Sequence, residues 1–215
     1  MGTFALVFIG AGSIVTDQAR SGSLGVIGVA AAHGLVLALM VTALMRISGA
    51  HFNPAVTLAL FMTKHVDGKT AGAYVITQLV AAVTAGYLVM FVFPPLAGEL
   101  VGYGVPRIGG DIGFRQAIVI EALLTFFLVS AVYGTAVSRE APAVGGFGIG
   151  LTWMFGIIAA GPLTGAALNP ARAFGPALVA NDWTGHAAFW VGPLFGGAVA
   201  AVVWGKMLLP KSPAD

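Results

Sequence analysis

From Gly25 to Met45 the chain runs without a single charged side chain, and the only ionisable group in that stretch is His33. Coiled into a helix, a run of this length rises about 30 Å, the thickness of a bilayer's hydrocarbon core. It is one of six apolar segments, roughly 1–15, 25–47, 71–93, 115–137, 147–163 and 187–208. Over all 215 residues, 58% are hydrophobic and 8% charged. A soluble domain carries about 25% charged residues, so most of this chain's surface is built to face lipid. The reading is an all-α, multi-pass integral membrane protein folded as one helical bundle. At about fifteen residues the first segment rises only ~22 Å, short of the core, which points to a helix start earlier than residue 1. The 31 glycines that punctuate the segments read as close helix–helix packing, because lipid offers no hydrophobic drive for helices to associate.

Composition also excludes several functions. There are no cysteines, hence no disulfides, no zinc–thiolate site and no cysteine nucleophile. No cofactor or metal is implied. The net charge of +2, with no Lys/Arg cluster, does not point to nucleic acid. The start lacks the basic n-region and the A-x-A-like site of a cleaved signal peptide. The polar tail 210–215 carries no lipidation box.

Two shorter stretches break the pattern, Asn53–Phe61 and Asn169–Val179. Each opens with Asn-Pro-Ala: Asn53, Pro54 and Ala55, then Asn169, Pro170 and Ala171. Asn is a favoured N-cap, and Pro suits the first helical position, where its missing N–H costs nothing. As helices they are about 13 and 16 Å long, so neither spans alone, but end to end they match the core. Ser48 to Val56 reads Ser-Gly-Ala-His-Phe-Asn-Pro-Ala-Val and follows the second long segment. Thr164 to Arg172 reads Thr-Gly-Ala-Ala-Leu-Asn-Pro-Ala-Arg and follows the fifth. Gly2 to Val7 likewise resembles Leu124 to Val129. The chain is thus one domain of two repeats, about 1–93 and 115–208. Each repeat has three long segments, so the two must be inverted in the membrane, and their short stretches enter from opposite faces. Arg46, Lys64, Lys69, Arg139, Lys206 and Lys211 fall on one side; Arg20, Arg107 and Arg115 fall on the other. The positive-inside bias places both termini in the cytoplasm of a cell (inner) membrane.

Irregular backbone at membrane depth is tolerated only where protein buries it or where it lines a wet cavity. Two half-helices meeting N-terminus to N-terminus bring two positive dipole ends to the midplane. Each Asn oxygen can cap its own helix, which leaves the NH₂ group to face whatever passes between them. Such a site suits a water oxygen and disfavours a cation. Ser48–Val56, and the longer stretch from Gly161 to Leu178, resemble the two signature loops of the aquaporins, or major intrinsic proteins. The resemblance covers nearly the whole chain. It implies the hourglass fold of six spanning helices and two re-entrant half-helices, a homotetramer, and one pore per subunit. It also implies that carbonyls just before each Asn line the pore.

By position relative to the motifs, the family's outer constriction maps onto His33, Ile157, Ala166 and Arg172. An arginine within a span is a functional residue by default, and its guanidinium would repel cations and hydrogen-bond passing water. His33 would supply a polar wall opposite Ile157. This set resembles the filter of plant tonoplast intrinsic proteins, which implies a wider pore that passes water and also ammonia or other small neutral solutes. The stretch Pro94–Phe114 holds no histidine, unlike ammonia-permeable members of that plant group. A glycerol or urea facilitator is the near alternative. Ala173, Ala177 and the pair Phe189 and Trp190 resemble water-channel choices instead, although the aromatic pair also fits an interfacial belt. The family's buried glutamate maps onto Glu121, as a support for a signature loop, and His51 maps onto a residue that orients the first loop. Glu121's counterpart in the first repeat would precede Met1. His65, among Lys64, Asp67 and Lys69, reads as a solvated loop residue.

Two other classes fit poorly. A coupled transporter needs ionisable relays, yet the spans hold only Glu121, His33 and Arg172 and no carboxylate pair. An intramembrane enzyme lacks both an H-E-x-x-H pair and a G-x-S-x-G elbow.

Overall fold

The computed structural model describes residues 1–209; the tail 210–215, with Lys211, lies outside them. Nine α-helices follow one another among the described residues. They are α1 (Gly2–Ala19), α2 (Gly25–Ser48), α3 (Pro54–Met62), α4 (Gly68–Val92), α5 (Pro95–Leu100), α6 (Phe114–Val132), α7 (Phe147–Thr164), α8 (Pro170–Ala180) and α9 (Ala188–Val203). Short π-helical turns extend α6 to Val137 and α9 to Leu208. With those extensions, α1, α2, α4, α6, α7 and α9 are the six helices long and apolar enough to cross a membrane.

The apolar segments mark these helices to within a few residues, except at α1. There the helix runs past the apolar segment at its C-terminal end. The helix continues through Thr16, Asp17, Gln18 and Ala19, polar residues beyond the apolar run, and reaches 18 residues, or about 27 Å. One further element was not foreseen. In the loop after α4, Pro95 at the first helical position starts α5, and Gly102–Gly104 adds a 3₁₀ turn in which Tyr103 is left-handed (φ 49°).

Outward-facing residues of the long helices are large and apolar, among them Ile27, Leu39, Phe127, Phe155, Phe195 and Phe91, which is 85% exposed. The interior is packed on small residues. At the crossing of α2 and α7, Gly34 faces Gly150 so closely that a Cβ on Gly150 would sit 2.2 Å from Gly34 O, and one on Gly34 would sit 2.6 Å from Gly150 O. These two glycines have the same sequence separation as Asn53 and Asn169. Gly196 meets Ala122 O in the same way, drawing α9 onto α6. The short helices α3 and α8 fill the centre of the bundle; α3 packs on α9 and α4, and α8 on α4.

Candidate functional site

The two half-helices meet start to start. Asn53 and Asn169 are both extended (φ −150° and −149°), with a proline at the first helical position behind each. Asn53 Oδ1 accepts from Ala55 N at 2.8 Å. Asn169 Oδ1 accepts from Ala171 N at 3.0 Å and Arg172 N at 3.2 Å. A backbone N–H only donates, so these contacts fix which amide atom is oxygen. The amide nitrogens then cross over: Asn53 Nδ2 donates to Leu168 O at 2.8 Å and Asn169 Nδ2 donates to Phe52 O at 3.0 Å. This corrects the expectation that both NH₂ groups are wholly free. One N–H of each is spent tying the half-helices together, and one remains.

The two loops share a backbone. Gly49, Ala50 and Phe52 in the first, and Gly165, Ala166 and Leu168 in the second, all have positive φ, at matching places before each Asn. Four of these are non-glycine residues, for which the left-handed region costs of order 1 kcal/mol or more each. The turn keeps each loop out of a helical ladder. Some of its carbonyls are used by the protein: Phe52 O also accepts from Thr3 Oγ1, and Ala166 O accepts from Trp153 Nε1 at 3.1 Å. Among the described residues no protein donor reaches the carbonyls of Ala50, His51, Gly165 or Ala167. The acceptors left over are therefore set further from each Asn than Phe52 and Leu168.

Different side chains support the two loops. Glu121, fully buried on α6, gathers the second. Its Oε1 accepts from Thr164 Oγ1 (2.8 Å) and Ala167 N (2.9 Å), and its Oε2 accepts from Leu168 N (2.8 Å). In the first loop His51 stacks on Tyr74, with ring centroids 4.5 Å apart, and its Nδ1 lies 3.2 Å from Thr57 Oγ1. Thr57 Oγ1 donates back to Asn53 O and accepts from Gln78 Nε2. His65 is outside this group, hydrogen-bonded to Thr63 in the turn after α3.

Of the four filter candidates, Arg172 and His33 are in direct contact, Ile157 shares a cavity wall with His33, and Ala166 is held through Trp153. Arg172, 2% exposed, donates from Nη2 to His33 Nε2 at 3.2 Å and from Nη1 to Gly104 O at 2.7 Å. Arginine has no acceptor, so Nε2 of His33 accepts, and its Nδ1 carries the proton donated to Val29 O at 2.9 Å. Three guanidinium N–H groups remain uncommitted. His33 and Ile157 share the wall of one cavity with Ile14, Asp17 and Gly165. A second cavity is lined by both Asn53 and Asn169 together with Phe52, His51, Leu128 and Trp153.

Trp153 was not foreseen. It is buried one turn before Ile157, its ring 6.3 Å from that of His33, and its indole N–H holds Ala166 O. Its spacing of four from Ile157 was the available signal, since such residues share a helix face. Gly104 had no signal, because its contribution is a main-chain carbonyl. No group of three or more His, Cys, Asp or Glu side chains is placed to hold a metal among the described residues.

Half-helices joined at their starts within six membrane-length helices, beside a buried arginine, define a polytopic channel protein. The family model of the major intrinsic proteins matches residues 1–204, and the chain belongs to that family. It is 41% identical to aquaporin TIP4-4 of Zea mays over 97% of this chain and 84% of that protein. It is 36% identical to aquaporin TIP2-1 of Arabidopsis thaliana, over 98% and 85% respectively. Among solved structures, the aquaglyceroporin from Plasmodium falciparum superposes with a TM-score of 0.82, covering 96% of this chain and 93% of that one. At 24% identity that likeness speaks to the fold alone. The protein is a multi-pass membrane channel of the aquaporin family, and not an enzyme.

Proposed function

We propose that the chain is a passive channel that conducts water, and with it ammonia and other small neutral solutes, while excluding protons and ions. One domain, residues 1–215, would form the pore from two inverted repeats, about 1–93 and 115–208. The observation that carries the reading is the reciprocal pair of Asn-to-carbonyl bonds between Asn53 and Leu168 and between Asn169 and Phe52. It sets two positive helix ends and one free amide N–H from each Asn against a narrow path. A water oxygen accepts from these donors, whereas a cation meets two like-signed dipole ends. Arg172 adds a fixed positive charge on the outer side, with spare N–H groups for water.

Ile157 and Ala166 support the wider solute range. One is apolar and the other small, so the constriction opposite His33 and Arg172 has a wall that neither binds nor tightly encloses a solute. The relatives named as TIP aquaporins accord with a water channel. The basic residues at one end of the bundle support cytoplasmic termini in a cell membrane, and the exposed apolar faces accord with a homotetramer set in lipid.

The test uses vesicles carrying an internal pH dye, mixed rapidly with an ammonium salt, with osmotic shrinkage followed in the same preparation. Fast shrinkage together with alkalinisation above that of empty vesicles is expected. Fast shrinkage without excess alkalinisation leaves a water-only pore and removes ammonia. Shrinkage no faster than that of empty vesicles overturns the channel reading itself.

A further inference from the structure

We propose that the ion pair between Arg107 and Asp182 is a positioning device that holds the pore arginine in register; this rests on reading Arg172 as a filter residue. The Arg172 guanidinium ends a long flexible side chain, and two contacts fix it. One, His33, sits on a spanning helix. The other is Gly104 O, in the connection between the two halves of the chain. The aim of the guanidinium is therefore only as firm as the backbone from Gly102 to Gly109.

That segment lies against the second signature loop. A Cβ on Gly165 would come 2.9 Å from Pro106 Cβ, and Gly109 N donates to Leu163 O at 2.8 Å. On its other side Gly104, at φ +85°, presses on Ala11. Between these anchors Arg107 folds back over the turn. Its Nη1 donates to Leu100 O at 3.3 Å, its Nη2 covers Gly102, and its Nε donates to Asp182 Oδ2 at 3.0 Å.

Asp182 is itself held. Its N–H donates to Ala177 O at 3.0 Å, and its Oδ1 accepts from Thr184 N at 3.1 Å. It lies just past the left-handed C-cap Asn181 of α8, the helix whose first turn carries Arg172. Both ends of α8 thus grip one loop, Arg172 through Gly104 and Asp182 through Arg107. This is the one ion pair among the described residues. Its side chains are 48% and 22% exposed, so it adds little to folding, and its effect lies in tying the far end of α8 to the loop that carries Gly104.

The experiment measures the ratio of urea to water permeability in vesicles for the wild type, Arg107→Gln, Asp182→Asn, the conservative Asp182→Glu, and Arg172→Val. Ionic strength is raised equally on both sides. Removing either partner should raise the ratio about twofold to fivefold, the weight of one exposed pair. Asp182→Glu should restore it, and Arg172→Val should raise it further. Salt screens exposed charges, so the wild-type ratio should drift towards the Asp182→Asn value as salt increases, while that variant stays flat. Water permeability near wild type reports that the pore has assembled. If Arg172→Val moves the ratio and neither Arg107→Gln nor Asp182→Asn does, the clamp is overturned and the filter reading stands. If Arg172→Val leaves the ratio unchanged, the filter reading fails and takes the clamp with it. A ratio shifted in the variants but insensitive to salt in the wild type assigns the effect to packing and rejects the ion pair. Should Arg107→Gln not fold, Asp182→Asn and the wild-type salt series decide alone.

Discussion

Glu121→Gln alters one atom of the support beneath the second pore loop. Three donors converge on the carboxylate: Thr164 Oγ1 and Ala167 N on one oxygen, Leu168 N on the other. Glutamine has a single oxygen. Placed to keep Thr164 and Ala167, it turns its NH₂ towards Leu168 N–H, a donor facing a donor 2.8 Å away. A buried N–H left without a partner costs about 1–3 kcal/mol. The two surviving bonds also lose their charge assistance, which roughly halves them. Relief from burying a charge offsets part of this in the global balance, so the local opening of the loop is the cleaner readout. A loss of about 2 kcal/mol there speeds exchange of the Leu168 amide by about 30-fold, at 1.4 kcal/mol per factor of ten. Hydrogen–deuterium exchange of the protein in nanodiscs, read on a peptide spanning Gly165 to Leu168, measures it. Because Leu168 O holds Asn53 Nδ2, water permeability should fall as well. Exchange within twofold of wild type would refute the argument that Glu121 holds this loop by accepting all three bonds.

Other outcomes follow from single contacts. Gly150→Ala puts a Cβ 2.2 Å from Gly34 O, a backbone atom that cannot rotate away, whereas Gly72→Ala on α4 meets nothing within 4 Å. The first should lower stability by about 1–3 kcal/mol and the second should raise it by about 0.5–1 kcal/mol, read as thermal midpoints in detergent. Asp67 caps α4, and hydrogen bonds from the Thr70 side chain and backbone hold its carboxyl below the usual range. A pKa lowered by folding stabilises the cap above the unfolded value of about 3.9, and that contribution disappears as pH falls through the folded value. Protection of the Thr70 amide should therefore drop at acid pH in the wild type and be low at every pH in Asp67→Ala. With no cysteine in the chain, mercurials should leave water flux unchanged, and inhibition reversed by a thiol reductant would contradict this.

The helices and the class of protein were legible in the sequence because the rules that set them are local. Twenty residues without charge have one comfortable setting, a helix across lipid. Asn followed by Pro caps a helix whatever surrounds it, so the starts of α3 and α8 were readable at Asn53 and Asn169. Arg172 stood out because a charge at that depth is costly without a purpose. The end of α1 was misjudged for the same reason in reverse: Asp17 and Gln18 are polar, yet they continue the helix, and Asp17 Oδ1 then receives the amides of Leu24 and Gly25 to turn the chain into α2. Tertiary structure decided the rest. Asn53 finds its carbonyl 115 residues away, and only the docking of two half-helices determines that one amide N–H is spent there. Ala50, Phe52, Ala166 and Leu168 take left-handed turns that their own side chains disfavour, held by contacts such as those Glu121 makes to the second loop. The aim of Arg172 rests on the carbonyl of Gly104, and every residue carries a carbonyl, so no spacing or residue type marks that one. Local chemistry fixes what each segment becomes, while the partner of a polar group buried between distant segments is fixed only when those segments meet.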